Sequence, residues 1–278
     1  MNKWILAHRH ARVRAGNLAY ELADERDPWK PALDPVLFIH GIGLHPRAWG
    51  PIARQFLAER PVLLAHLHGH GESAGLLPGV TDTAIDVAGD FETLLQQEGI
   101  HRVHVVGESI GGTLALALAI RRPDMVASLS VLSTGFRGAA INGLDTWRGF
   151  IGEQGVRAWS EMMIDRRFVD GAVDPDVLRW VAEVQESLAA DAIISCGEML
   201  LRTDITAELA RVATPTLVIA PTASPFLGTL MPAQLAALLP NARFLEAVGA
   251  KHGVVLSHGE FCAAAISKHV GTYRGLAA

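Results

Sequence analysis

Apolar residues along this chain fall into short blocks separated by stretches of helical spacing. Val36-Leu37-Phe38-Ile39, Pro61-Val62-Leu63-Leu64-Ala65, Val103-His104-Val105-Val106 and Ser128-Leu129-Ser130-Val131-Leu132 read as strands, and residues 215–220 and 243–248 continue the series. Near-continuous apolar strands alternating with helices predict a parallel sheet covered on both faces. From about residue 10 to 22 the alternation fits a pair of antiparallel edge strands. Helical spacing covers 49–57, 82–97, 109–121, 232–239 and 260–269.

Residues 135–213 break this rhythm. They carry helical patterns such as Leu178-Arg179-Trp180-Val181-Ala182-Glu183-Val184 and no strand-like run. A parallel crossover needs only one helix, so the surplus predicts a helical cap over the strand ends, where open parallel sheets hold ligands. The expected division is a core of 1–134 and 214–278 with a cap insertion of 135–213. The alternative is a set of ordinary crossover helices that happen to be numerous.

Composition narrows the class. With 278 residues, half of them hydrophobic, one large α/β domain can bury a substantial core. A net charge of −5 without any block of like charge argues against a nucleic-acid or anionic-membrane partner, since either needs a concentrated basic face. Two cysteines, Cys196 and Cys262, make a disulfide framework improbable and fit a reducing compartment. The apolar run after Met1 is broken by His8, Arg9 and His10, too soon for a secretory leader. The expectation is a cytoplasmic protein acting on a small molecule, with homo-oligomerisation left open.

The chemistry begins at Val105-Val106-Gly107-Glu108-Ser109-Ile110-Gly111-Gly112, a G-x-S-x-G sequence between an apolar strand and an Ala/Leu-rich helix. A strand that reverses abruptly into a helix strains the residue at the turn, and side chains two positions to either side would collide there. Ser109 would then present its hydroxyl where free N–H groups favour developing negative charge. Glu108 should point away from it, as a structural carboxylate.

Upstream, His40-Gly41-Ile42-Gly43 closes the third strand. The Ile42 and Ile110 amides are the expected oxyanion donors, and His40 reads as a pocket-side residue bracing the loop. Of the twelve histidines, His252 in Gly249-Ala250-Lys251-His252-Gly253 follows the last strand, which places it at the sheet end where Ser109 emerges. His258 competes for the role of base. No two histidines stand at helical i, i+4 spacing beside a carboxylate, so no metal is expected.

These segments, together with Trp49, Gly69-His70-Gly71-Glu72-Ser73 and Pro215-Thr216-Leu217-Val218-Ile219, resemble the α/β-hydrolase superfamily over nearly the whole chain. Within it the chain looks like cap-bearing enol-lactone hydrolases, small carboxylesterases and metal-free perhydrolases. The resemblance implies an α/β-hydrolase fold with an eight-stranded, mostly parallel sheet, helices on both faces, a helical cap, and no metal or cofactor.

Two departures matter. The superfamily usually shows Asp-x-Arg-Gly-His-Gly-x-Ser after the strand at Val62; here the first and third residues are His66 and His68, which implies an altered ion pair at the pocket rim. The resemblance also places a triad aspartate a few residues beyond the seventh strand, and Ser224 stands there. Three readings stay open. Glu246, Asp145 or Glu198 supplies the charge; Ser109 and His252 act as a weakened dyad; or the site serves ligand binding, lyase or cofactor-free chemistry. An acid-site variant of a hydrolase, natural or engineered, would look the same. The expected reaction is hydrolysis of a small carboxylic ester or lactone, with Leu144, Trp147, Trp159, Met162 and Met163 as apolar pocket walls from the cap.

Overall fold

A computed structural model of the protein describes residues 7–273 apart from Ala15, Ala32 and Thr229. The first six residues, on which the leader reading partly rests, lie outside these. Eight strands form one sheet: β1 (Ala7–Val13), β2 (Gly16–Ala23), β3 (Val36–Ile39), β4 (Val62–Ala65), β5 (Val103–Glu108), β6 (Val126–Leu132), β7 (Thr216–Pro221) and β8 (Ala242–Ala247). Their spatial order is β1-β2-β4-β3-β5-β6-β7-β8. The β1–β2 and β2–β4 pairings are antiparallel and all the others parallel.

β3 to β7 are buried at every position. Successive side chains point to opposite faces. Leu37, Ile39, Leu63, Val105 and Val131 enter one apolar core with the helices α2 and α3 introduced below. Val36, Phe38, Leu64, Val106 and Ile219 enter the other, with the first and last helices. The outer strands differ. β1 exposes His8, Arg9, His10 and Arg12 and β8 exposes Arg243 and Glu246, charges that discourage pairing with another sheet edge.

The helices are α1 (Gly50–Ala53), α2 (Ala84–Gln97), α3 (Ile110–Arg121), α4 (Trp147–Arg167), α5 (Pro175–Glu186), α6 (Ala190–Arg202), α7 (Thr206–Leu209), α8 (Leu230–Leu238), α9 (Val254–Ser257) and α10 (Gly259–Thr272). The helix expected over 49–57 is instead a 3-10 turn, Pro46–Trp49, followed by the single turn α1. Pro46 and Pro51 each lack the N–H that would carry a longer helix through. α2 begins on a capping box in which Thr83 and Asp86 exchange hydrogen bonds.

Between β6 and β7 the described residues form helices and turns, with one isolated bridge between Arg137 and Asp204. Inside α4, Gly155 has φ 82° and ψ 171°, so the helix is two segments joined at a break. The second segment carries Trp159, Met163 and Arg167 toward the sheet. Among the described residues no helix is long and apolar enough to cross a membrane. Both cysteines are free and buried.

Candidate active site

The C-terminal ends of β3, β5, β6, β7 and β8 converge on one cavity. It is lined by Ile42, Ser109, Ile110, Ser133, Phe226 and His252 from the sheet side, and by Leu144, Trp147, Met163, Arg167 and Leu200 from the helical insertion. It has about 20 Å³ of room for water centres, space for a single ordered water.

Ser109 sits on the turn from β5 to α3 with φ 57° and ψ −122°, outside the comfortable range of an L residue. The neighbouring glycines permit this turn. A Cβ on Gly107 would lie 2.2 Å from the Gly111 carbonyl oxygen, and one on Gly111 would lie 2.1 Å from that of Ile39. The Ser109 N–H donates to Leu132 O at 2.8 Å, anchoring the turn to β6. Ile110 opens α3, so its N–H has no acceptor within the helix. Gly41 brings the β3 loop so close that a Cβ there would touch Ser109 Cβ at 3.4 Å. Ile42 and Ile110 thus flank Ser109 on the same cavity.

His252 Nε2 lies 3.0 Å from Ser109 Oγ, and its Nδ1 lies 3.1 Å from Ser224 Oγ. An Nδ1–H tautomer satisfies both contacts: the ring donates to Ser224 and accepts from Ser109. Ser224 Oγ also accepts the N–H groups of Phe226 at 3.3 Å and Leu227 at 3.4 Å. The Phe226 ring stands edge-on to the imidazole, centroids 4.9 Å apart. Burial, reinforced by the positive charge of Arg167, pushes the imidazole down to about 3, so it is neutral at ordinary pH. His258 is elsewhere, beside Ser257 Oγ at 2.9 Å and at the head of α10.

The carboxylates weighed as substitute acids do not reach the ring. Glu246 is exposed on β8, and Asp145 is exposed in the turn before α4. Glu198, half-buried on α6, ion-pairs with Arg148 at 2.5 Å. None of the three hydrogen-bonds to His252, because each projects from an outer face of its element. Glu108 is turned away from Ser109 and buried, accepting the Val255 N–H at 3.2 Å. Burial raises its carboxyl to about 7 against the pull of that N–H and of Arg167.

Some expected pocket residues lie behind the wall. His40 is fully buried; its Nδ1–H donates to Gly41 O at 2.9 Å and its Nε2 accepts the Leu67 N–H at 3.1 Å. Trp159 is also fully buried, edge-on to Trp147 at 5.3 Å. Met162 packs partly buried against the core, one position from Met163. Leu144, Trp147 and Met163 do face the cavity. The altered ion pair is not at the rim: His68 Nε2 meets Asp90 of α2 at 2.7 Å in the interior.

Arg167, Ser133 and Phe226 escaped the sequence reading. Arg167 is buried at the end of α4 and donates to the Ile42 carbonyl, while its own carbonyl accepts the Gly253 N–H at 3.0 Å. It therefore ties the β3 loop to the histidine loop. Ser133 has φ 50° and a buried hydroxyl with no hydrogen-bond partner among the described residues. Its signal was its register, directly beyond the end of β6.

Comparisons with known proteins follow the same lines. The sequence profile described as the Alpha/beta hydrolase family matches residues 36–265. Polyketide synthase ThaQ of Burkholderia thailandensis is 31% identical over 233 residues, which are 81% of this chain and 11% of that protein. The chain thus spans about a tenth of that relative's length. Pimeloyl-[acyl-carrier protein] methyl ester esterase of Chromobacterium violaceum is 26% identical over 85% of this chain and 94% of its own. The structure of the enol-lactonase from Burkholderia xenovorans LB400 superposes with a TM-score of 0.86 at 22% identity, covering 95% of this chain and all of that one.

Proposed function

This chain belongs to the alpha/beta hydrolase family, and from that premise we propose that it is a serine hydrolase of small carboxylic esters or lactones. One observation carries the reading: Ser109 Oγ stands 3.0 Å from His252 Nε2 on a strained strand-to-helix turn that faces a cavity. Ser109 attacks the substrate carbonyl as His252 takes its proton, and the Ile42 and Ile110 N–H groups hold the oxyanion. His252 then protonates the departing alkoxide. In the second half it deprotonates a water that attacks the acyl-serine, and collapse releases the acid and restores the hydroxyl.

Ser224 is a neutral third member. It fixes the ring tautomer but offers no charge to the imidazolium, so turnover should be slow beside that of an aspartate-bearing site. Relatives whose names record ester and lactone hydrolysis support the substrate class. The helical insertion acts as the cap, and its Leu144, Trp147 and Met163 form the apolar wall that a substrate would meet opposite Ser109.

The neutral residue at 224 also favours a second reading, ligand binding without turnover. A fluorophosphonate probe with mass spectrometry, run beside p-nitrophenyl ester turnover, separates the two. The expected result is an adduct on Ser109 and activity lost in Ser109→Ala. A folded protein with no adduct, and with turnover indifferent to Ser109→Ala, removes the hydrolase reading.

A further inference from the structure

Glu21, His45 and His66 lie outside the catalytic cavity, and the proposed reaction does not use their polar atoms. The sheet brings the first and last together. His66 follows β4, and its N–H donates to Ala19 O of β2 at 3.0 Å, so His66 stands opposite Ala19. Ala19 and Glu21 are two apart on β2 and share a face, which puts Glu21 and His66 diagonally across the same side of the ladder. His45 arrives from the β3 loop and stands edge-on to His66, ring centroids 5.0 Å apart. One ligand atom from each of the three residues lies within 4.8 Å of the other two.

Two further observations concern the polar atoms of the cluster. The Glu21 side chain is 1% exposed, and its Oε2 has no hydrogen-bond partner among the described residues. Among the described residues its Oε1 is met only by Arg47 Nε at a long 3.3 Å, from a side chain more than half exposed. His66 is 2% exposed, and its Nδ1, packed against Gly71, has no hydrogen-bond partner among the described residues. A buried carboxylate oxygen and a buried imidazole nitrogen without partners are costly in an interior unless a ligand completes them.

We propose that Glu21, His45 and His66 form a binding site for a divalent transition-metal ion of the zinc class, separate from the catalytic cavity. Two imidazoles and a carboxylate are a donor set that such ions take, with water completing a tetrahedron. Bonds of about 2 Å require ligand atoms about 3.3 Å apart, so the three groups close by side-chain rotation rather than by moving the sheet.

The surroundings suit a cation. Glu72 is close enough for its charge to act on His45, and it also pairs with His8 at 3.0 Å on the exposed rim. Two features oppose it. Arg47 shares Glu21, and its N–H caps onto His45 Nδ1 at 3.2 Å, a long bond that the ion displaces. The site flanks the β3 loop three residues beyond Ile42, so a bound ion would brace that loop without touching the reacting atoms. The helical spacing expected of metal ligands missed it because the donors come from three separate segments.

The test uses the full chain without an affinity tag, stripped by chelator and titrated with Zn2+ by calorimetry, with Co2+ absorption as a probe of tetrahedral geometry. The expected result is one equivalent bound, with affinity reduced more than about tenfold in each of Glu21→Gln, His45→Gln and His66→Gln. Circular dichroism verifies that each variant is folded, and Arg47→Ala should tighten binding. A His8→Ala/His10→Ala double variant should bind as the parent does. Absence of stoichiometric binding in the parent overturns the proposal. So does unchanged affinity in the three folded variants, or loss confined to the His8/His10 variant, which would mark a surface chelate. Labelling of Ser109 by the phosphonate probe does not depend on any of these outcomes, so this site and the hydrolase reading fail separately.

Discussion

Ser224→Asp should turn a slow site into a fast one. The side-chain oxygen at 224 already sits 3.1 Å from His252 Nδ1 and accepts the Phe226 and Leu227 N–H groups. A carboxylate there can place one oxygen on the ring and the other on those two amides. A charge about 4 Å from the imidazolium, at an effective dielectric of about 20, contributes about 4 kcal/mol. That stabilises the imidazolium formed in the transition state and corresponds to roughly a 10³-fold gain in kcat/KM. The same interaction raises the basicity of His252, which burial and Arg167 now hold down at about 3. The base must be neutral to act, so the acid limb of the kcat/KM profile reports its titration in the free enzyme. In the parent that limb lies far on the acid side; in Ser224→Asp it should move toward neutrality by roughly three units. Steady-state turnover of a p-nitrophenyl ester from pH 3.5 to 8 gives the rate ratio and shows whether the variant's limb has moved up into that range. A folded variant with neither a faster rate nor a displaced limb would show that position 224 is not the vacant acid site.

Three further outcomes follow from the same contacts. Glu108 takes up its proton near pH 7 in the fold but near the ordinary carboxyl value when unfolded, so the folded state binds more protons between about 4.5 and 7. The stability this confers is full below that window and lost as pH rises through it; Glu108→Gln should flatten the dependence of Tm on pH there, and an unchanged slope would refute the assignment. Gly111→Ala should destabilise by about 3 kcal/mol or more in urea denaturation, because its Cβ meets the Ile39 carbonyl at 2.1 Å and main chain cannot swing aside. Arg167→Met should move the acid limb of the parent upward by removing the charge that disfavours imidazolium, and should lower kcat by loosening the Ile42 loop; a limb that stays in place would mean burial alone depresses His252.

Much of the sheet could be read from the chain because β3 to β7 are buried on both faces and are therefore near-continuously apolar. Ser109 and its glycines were legible for a similar reason: the collision at 107 and 111 leaves no choice of residue. The pairing of His252 with Ser224 is different in kind. It joins two loops 28 residues apart, and only the resemblance pointed to position 224. Arg167 left no local trace, since a basic residue at a helix C-terminus is ordinary and only packing reveals that this one is buried. The substitute acids failed because acidic residues near a site in sequence can still project outward, as Glu246, Asp145 and Glu198 do. Trp159 and Met162 were placed one layer too close because aromatic and methionine side chains in a helix serve core and pocket equally well.

The guanidinium at 167 has a consequence for how this scaffold can be rebuilt. The insertion between β6 and β7 is an obvious place to exchange one set of helices for another, since the chain enters and leaves at neighbouring strands. Here the helical insertion is tied at Arg167 to the loops beneath it, by the guanidinium to the Ile42 carbonyl and by the main-chain carbonyl to the Gly253 N–H. A chimaera that brings in foreign helices without an arginine delivered to that depth would keep Ser109 on its turn and lose the guanidinium that holds the Ile42 loop. The insertion and the loops under it would have to be exchanged together.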